Sequence, residues 1–172
     1  MRKHKIILKE KKSKYLSKAD IINIIKLKKS HWNNSITSQI NWFKKNSFKN
    51  DLHFQLFKDK KLIGYVHLGL RLVNYNSKKK KYILFRNLII KKIERKNNYS
   101  TMIMLKVNKY IKKKKKIGFL LCKKNVTKFY NKYKWNILNK KSSTVIDHNI
   151  KNMRLMAFNL NKIKNLQFYY NK

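Results

Sequence analysis

The stretch Tyr82-Ile83-Leu84-Phe85-Arg86-Asn87-Leu88-Ile89-Ile90 is β-branched and aromatic. The polar run from Lys91 to Asn98 interrupts it before Ser100-Thr101-Met102-Ile103-Met104-Leu105-Lys106-Val107 resumes with helical spacing. This pattern predicts a strand feeding the N-terminus of a helix. At such a junction several backbone N–H groups lack an intrahelical acceptor and the helix dipole is positive, so the turn suits a phosphate or pyrophosphate. Arg95 and Lys96 add charge beside it. Gly118-Phe119-Leu120-Leu121-Cys122 predicts a second strand, with a second helix running toward Trp135.

Working outward, Lys5 to Leu8 predicts a short first strand. Ser17 or Asp20 is placed to cap a helix bearing Ile21, Ile22, Ile24, Ile25 and Leu27. A second helix is predicted from Ser35 to Lys45 with Ile36, Ile40 and Phe43 on its buried face. Trp32, Trp42 and Phe43 read as core residues. Asp51 to Phe57 alternates through Leu52, Phe54 and Leu56, turns at Lys58-Asp59-Lys60 and returns through Leu62 to Leu68, which predicts an antiparallel hairpin. Lys78 to Lys81 and Lys112 to Lys116 read as solvated loops, the second ending the long helix. Asn136-Ile137-Leu138 begins another strand, Ser142 to Lys151 reads as an aperiodic surface loop, and Arg154 to Leu160 as the last strand, with a frayed tail from Asn161.

The length, 172 residues, suits one domain spanning residues 1–172. A net charge of +40 first suggests nucleic acid. The identity of the residues argues otherwise: 41 Lys, 22 Asn and 20 Ile make up 83 positions, only five are Arg, Pro is absent and Gly numbers three. These abundant residues have A/T-rich codons, so the composition reads as codon bias. Selected readers of nucleic acid favour the planar fork of Arg. Nucleic acid is therefore expected only as a non-specific attraction. The single Cys122 excludes an internal disulfide and a cysteine-based zinc site; no metal is expected, and Cys122 reads as a packing residue. No run of 18 apolar residues is present and the N-terminus lacks a signal pattern, so no membrane partner and a cytoplasmic location are expected.

The strand–turn–helix resembles that of the GNAT acetyltransferase superfamily, whose turn carries Arg/Gln-x-x-Gly-x-Gly/Ala. Here it reads Arg95-Lys96-Asn97-Asn98-Tyr99-Ser100, with both glycine positions altered. Asn is the least costly substitute where φ is positive, and Ser is small. The family's Phe-Tyr-Glu-Lys-x-Gly-Phe/Trp is matched by Phe129-Tyr130-Asn131-Lys132-Tyr133-Lys134-Trp135, with Lys134 at the glycine. The resemblance spans roughly residues 5–160. It implies an α/β fold with a mixed, mostly antiparallel central sheet, splayed between the fourth and fifth strands, and helices on both faces.

The resemblance further implies acetyl-CoA as acyl donor and the amine of a small molecule as acceptor; the basic surface puts an amino sugar or a nucleotide-linked amine among the candidates. Leu88, Ile89 and Ile90 would offer backbone groups to the pantetheine arm. Arg95, Lys96, Asn97, Asn98, Tyr99, Ser100 and Thr101 would cradle the pyrophosphate, and His31 and Trp32 would border the acceptor. Tyr130 would be the general acid: a phenol of pKa about 10 is protonated at neutral pH and can give its proton to a thiolate whose conjugate acid lies at about 8.5. Tyr133 has the wrong spacing for that role. No general base is assigned. Glu94 would tune the phosphate turn, and Asp51, His53 and His67 flank the expected acceptor position. Two alternatives remain open: a basic nucleic-acid-binding or ribosome-associated protein, and a CoA-binding GNAT fold without turnover. The last strand could also pair with a partner's edge to form a homodimer.

Overall fold

Ser17 and Asp20 set the first helix. The Ser17 Oγ accepts from Asp20 N–H at 3.1 Å and the Asp20 carboxylate accepts from Ser17 N–H at 2.9 Å, a reciprocal capping box. The computed structural model describes residues 4–75, 78–139, 141–160 and 166–171. They cluster into two compact units, Met1–Gly69 with Asn87–Met104, and Leu70–Arg86 with Leu105–Lys172.

In the first unit the strands are β1 (Ile6–Lys12), β2 (Leu52–Lys58), the first part of β3 (Lys61–Tyr75) and the end of β4 (Lys78–Ile90). The β1–β2 and β2–β3 ladders are antiparallel. Asp59 and Lys60 both have positive φ, 48° and 68°, as a two-residue hairpin of the favoured twist requires. Helix α1 (Lys18–Lys29) buries Ile24, Ile25, Leu27 and Lys28; α2 (Ile36–Asn46), capped by Ser35, buries Gln39 and Phe43. Ile24, Leu27, Phe43, Tyr65 and Ile89 form one core cluster, with Trp32 and Trp42 packed on it. Ile36 departs from its expected burial: as the first residue of α2 it lies one turn before the buried stripe and is 45% exposed.

The second unit holds the remainder of β3 and β4, then α3 (Tyr99–Lys113) from Leu105 onward, β5 (Gly118–Lys123), α4 (Thr127–Asn131), β6 (Asn136–Ile137), β7 (Ser143–Ile146), β8 (Met153–Phe158) and β9 (Leu166–Tyr169). The order runs β4-β5-β8-β6, while β9 pairs with β3 and β7. The β4–β5 ladder is parallel and short, Ile83 opposite Gly118 and Leu84 opposite Phe119, whereas the antiparallel β5–β8 ladder runs from Gly118 to Lys123. β4 therefore parts from β5 after Leu84, the splay of an open, mixed and mostly antiparallel sheet. Phe119 stacks on Phe168 at 4.0 Å, with Tyr82 edge-on to both rings.

Three segments differ from the sequence reading. Lys78–Lys81, expected as a loop, starts β4; its side chains face water as expected, but the backbone is extended. The supposed loop from Ser142 contains β7, a four-residue strand whose partner lies far along the chain. β8 is not the last strand: Leu166 and Phe168 of β9 alternate into the core, a four-residue signal hidden between Lys- and Asn-rich flanks. The start of the expected frayed tail, Asn161 to Asn165, lies outside the described residues. Among the described residues no helix is long and apolar enough to cross a membrane.

Glycine is retained where elements touch. A Cβ on Gly118 would come within 2.8 Å of both Ile111 Cδ1 and Trp135 Cη2, and the Trp135 indole is fully buried with its Nε1–H donating to Asn108 Oδ1 at 2.9 Å. Gly118→Ala should therefore destabilise by about 1–3 kcal/mol, read as a lower urea midpoint. Gly64→Ala should cost less, since the nearest atom, Ile90 Cδ1 at 2.8 Å, is a methyl that can rotate away. Equal midpoints for the two variants would contradict this account.

Candidate functional site

In the first unit β4 ends with Lys91 N–H donating to Ile63 O at 2.8 Å, and a 3-10 turn, Lys92–Glu94, follows. The Glu94 carboxylate accepts from Lys58 Nζ at 3.1 and 3.2 Å, which anchors the turn to the β2–β3 hairpin. Arg95 Nε donates to Ile90 O at 3.3 Å, and Arg95 Nη2 donates to His31 Nδ1 at 2.8 Å. Lys96 and Asn98 then take φ of 75° and 57°. These two left-handed residues turn the chain into α3, whose first ladder bond is Met102 N–H to Asn98 O. The amides of Tyr99 and Ser100 precede that bond and point out of the helix end, so the turn has the backbone donors an anion needs. Ser100 is helical, so its position asks for a small residue and not for positive φ.

Of the residues assigned to the pantetheine arm, Ile89 and Ile90 have buried side chains and Leu88 is half-buried. Asn87, just before them, has φ of 59° inside β4 and distorts the strand at this point. The sequence reading missed it. Its signal is a lone Asn, the residue most tolerant of left-handed backbone after Gly, inside an apolar strand. His31, exposed, and Trp32, half-buried, follow α1, and their rings meet edge-on at 4.7 Å.

In the second unit α4 carries Tyr130, whose ring stands edge-on to Phe85 at 5.8 Å and to Phe129 at 5.1 Å. Burial, and then the Cys122 sulfur, push the Tyr130 phenol well above its ordinary range, so it is protonated throughout neutral pH. Burial pushes the Cys122 thiol up to about 11, and the group is inert packing whose S–H points to Met156 Sδ at 3.5 Å. The end of the α4 segment is set by two bonds, Trp135 N–H to Tyr130 O at 3.3 Å and Lys134 N–H to Asn131 O at 2.9 Å, with Lys134 at φ 65°. This is a Schellman stop with lysine in the glycine place. It ties Trp135 to Tyr130 through the backbone, and the Tyr133 main-chain carbonyl accepts from Asn108 Nδ2 at 2.8 Å.

The hairpin groups considered as bases are internal. His67 Nε2 donates to Asp51 Oδ2 at 2.9 Å, His53 bridges Ser13 Oγ and Tyr65 Oη at 2.7 Å each, and the two imidazoles stack at 4.8 Å. Asp51, His53 and His67 are each at most 2% exposed, which makes them internal polar groups of the core. Among the described residues no group of three His, Cys, Asp or Glu side chains could hold a metal ion.

No family model and no curated protein sequence matches this chain. Solved structures do match it. A probable N-acyltransferase from Enterococcus faecalis V583 is 14% identical with a TM-score of 0.66, covering 81% of this chain, which spans only 33% of that one. The Escherichia coli GNAT family N-acetyltransferase YhbS, solved in complex with CoA, is 8% identical with a TM-score of 0.70, covering 99% of this chain and 93% of its own. The chain has the GNAT fold. The Escherichia coli ribosomal-protein-S18-alanine N-acetyltransferase is likewise similar, at 10% identity and a TM-score of 0.61 over 88% of this chain and 92% of its own. At these identities the likeness is one of fold.

Because Lys134 holds a conformation that favours glycine, Lys134→Gly should stabilise the protein by up to about 1 kcal/mol, whereas the β-branched Lys134→Val should destabilise it by more than that. Thermal melts of the two variants check this. A Val variant as stable as the Gly variant would show that the left-handed stop is not formed.

Proposed function

We propose that this protein is an N-acyltransferase that uses acetyl-CoA and acetylates the amine of a small molecule, with amino sugars and nucleotide-linked amines as the favoured class. The observation that carries the reading is the backbone of the Arg95–Ser100 turn: Lys96 and Asn98 hold left-handed φ without glycine at the start of α3, whose first amides have no intrahelical acceptor. That shape fits a pyrophosphate, and Arg95 and Lys96 supply two cations.

Bound acetyl-CoA would supply the acetyl thioester. The chain's own part is to hold and orient. Arg95 to Thr101 would hold the pyrophosphate, and the backbone of Leu88 to Ile90 would guide the pantetheine arm. Fixing both reactants in reach can account for roughly 7–11 kcal/mol of a barrier in well-aligned systems. Tyr130 keeps a proton on its phenol oxygen and would supply it to a departing thiolate. Burial makes the phenol a weaker acid, so the proton transfer needs the departing thiolate to be held in similarly dry surroundings, which raise its basicity as well. No side chain is assigned as base; the acceptor amine enters neutral or loses its proton through water.

Net charge draws in anionic acceptors and repels polyamines at long range. The same charge supports a second reading, a basic nucleic-acid-binding protein, which requires tight RNA binding without CoA affinity. The deciding experiment is acetyl transfer to an amine panel, followed by release of free thiol. Tyr130→Phe should lower turnover by about 100-fold or more with little change in KM for acetyl-CoA. An equal loss in turnover and cofactor binding would make the hydroxyl a binding group, and CoA binding with no transfer to any amine would leave a fold without turnover.

A further inference from the structure

We propose that His31 is a proton-linked ligand of the anion held at the Arg95 turn, so that the segment after α1 belongs to the cofactor site and not to the acceptor. This rests on the acetyl-CoA reading above. His31 is held from behind: its N–H donates to Lys28 O at 3.0 Å, and its ring stands edge-on to Trp32, which packs on the core of α1 and α2. The ring itself remains exposed. Arg95 Nη2 donates to His31 Nδ1 at 2.8 Å. Arginine can only donate, so Nδ1 is the unprotonated nitrogen, the ring is neutral and its proton sits on Nε2.

Burial, and then the Arg95 charge, hold the His31 imidazole below its ordinary value. An anion at the turn reverses the second effect by neutralising Arg95, and it offers an acceptor to the imidazolium. Once protonated, His31 has no lone pair for Arg95, and the guanidinium is released to the anion. The other charged groups here are Lys96 in the turn, Lys28 on α1, whose ammonium lies 3.7 Å from the Trp42 ring centroid, and Glu94, whose carboxylate is engaged by Lys58. Binding therefore raises the His31 pKa. The added affinity is complete below the free-state value and disappears as pH rises through the bound-state value.

The test is calorimetry of CoA with the full chain near pH 6 and near pH 8, for wild type and for His31→Gln, whose amide still accepts from Arg95. The histidine ring is also titrated by NMR in the free wild type and in Arg95→Gln. Wild type should bind about three- to tenfold more tightly at the lower pH, with proton uptake seen as buffer-dependent heat; His31→Gln should lose that dependence; and Arg95→Gln should raise the His31 pKa. Equal wild-type affinity at both pH values, a pH dependence that His31→Gln retains, or a His31 pKa unmoved by Arg95→Gln would overturn this inference alone. Absence of CoA binding by wild type at either pH would overturn the cofactor reading and this inference with it.

Discussion

The chain must turn left-handed without glycine. Among the described residues ten non-glycine positions have positive φ and no glycine does. Six are Asn or Asp, whose short polar side chains tolerate that region best, and four are Lys. None is β-branched. The hairpin at Asp59-Lys60, the distortion at Asn87 and the turn at Lys96 and Asn98 draw on this tolerance, while the stop at Lys134 bends a residue that lacks it. An Asn-rich composition, which codon bias alone would produce, thus also supplies the residues that substitute for glycine at least cost.

Gly64 and Gly118 do the opposite work. Neither has positive φ, and each lies where a Cβ would intrude on a neighbour. Gly118 opens β5, and the Trp135 indole occupies the space its missing side chain leaves. Trp135 in turn is reached through the Schellman stop at Lys134, so the position of Tyr130 follows from a glycine kept for packing and a lysine bent for turning. Both features lie in the second unit.

Much of this was legible in the sequence. The strand of Tyr82 to Ile90, the helix from Ser100, the Ser17 cap and the Asp59-Lys60 hairpin each carry a local signal, either a hydrophobic period or a side chain with one geometric use. What escaped lacked such a signal. β7 and β9 have four residues each and are specified by pairing with distant partners. Lys78 to Lys81 is extended because its continuation into Tyr82 is extended, not because lysine favours strands. At the candidate site the sequence pointed to Arg95, Asn98 and Tyr130, but the contact of Arg95 with His31 joins residues 64 apart and has no pattern along the chain.

The basic surface complicates every binding argument, because a chain of charge +40 attracts any polyanion. A built pyrophosphate site differs from general attraction in its resistance to salt and in its demand for more than a diphosphate. The most direct measurement is therefore calorimetry of CoA and acetyl-CoA at low and high salt, with ADP as the control for simple phosphate attraction. Micromolar binding of CoA that survives added salt and exceeds that of ADP is the predicted result. Binding that vanishes with salt, or that ADP equals, would contradict the account and leave the GNAT fold here as a scaffold without its cofactor.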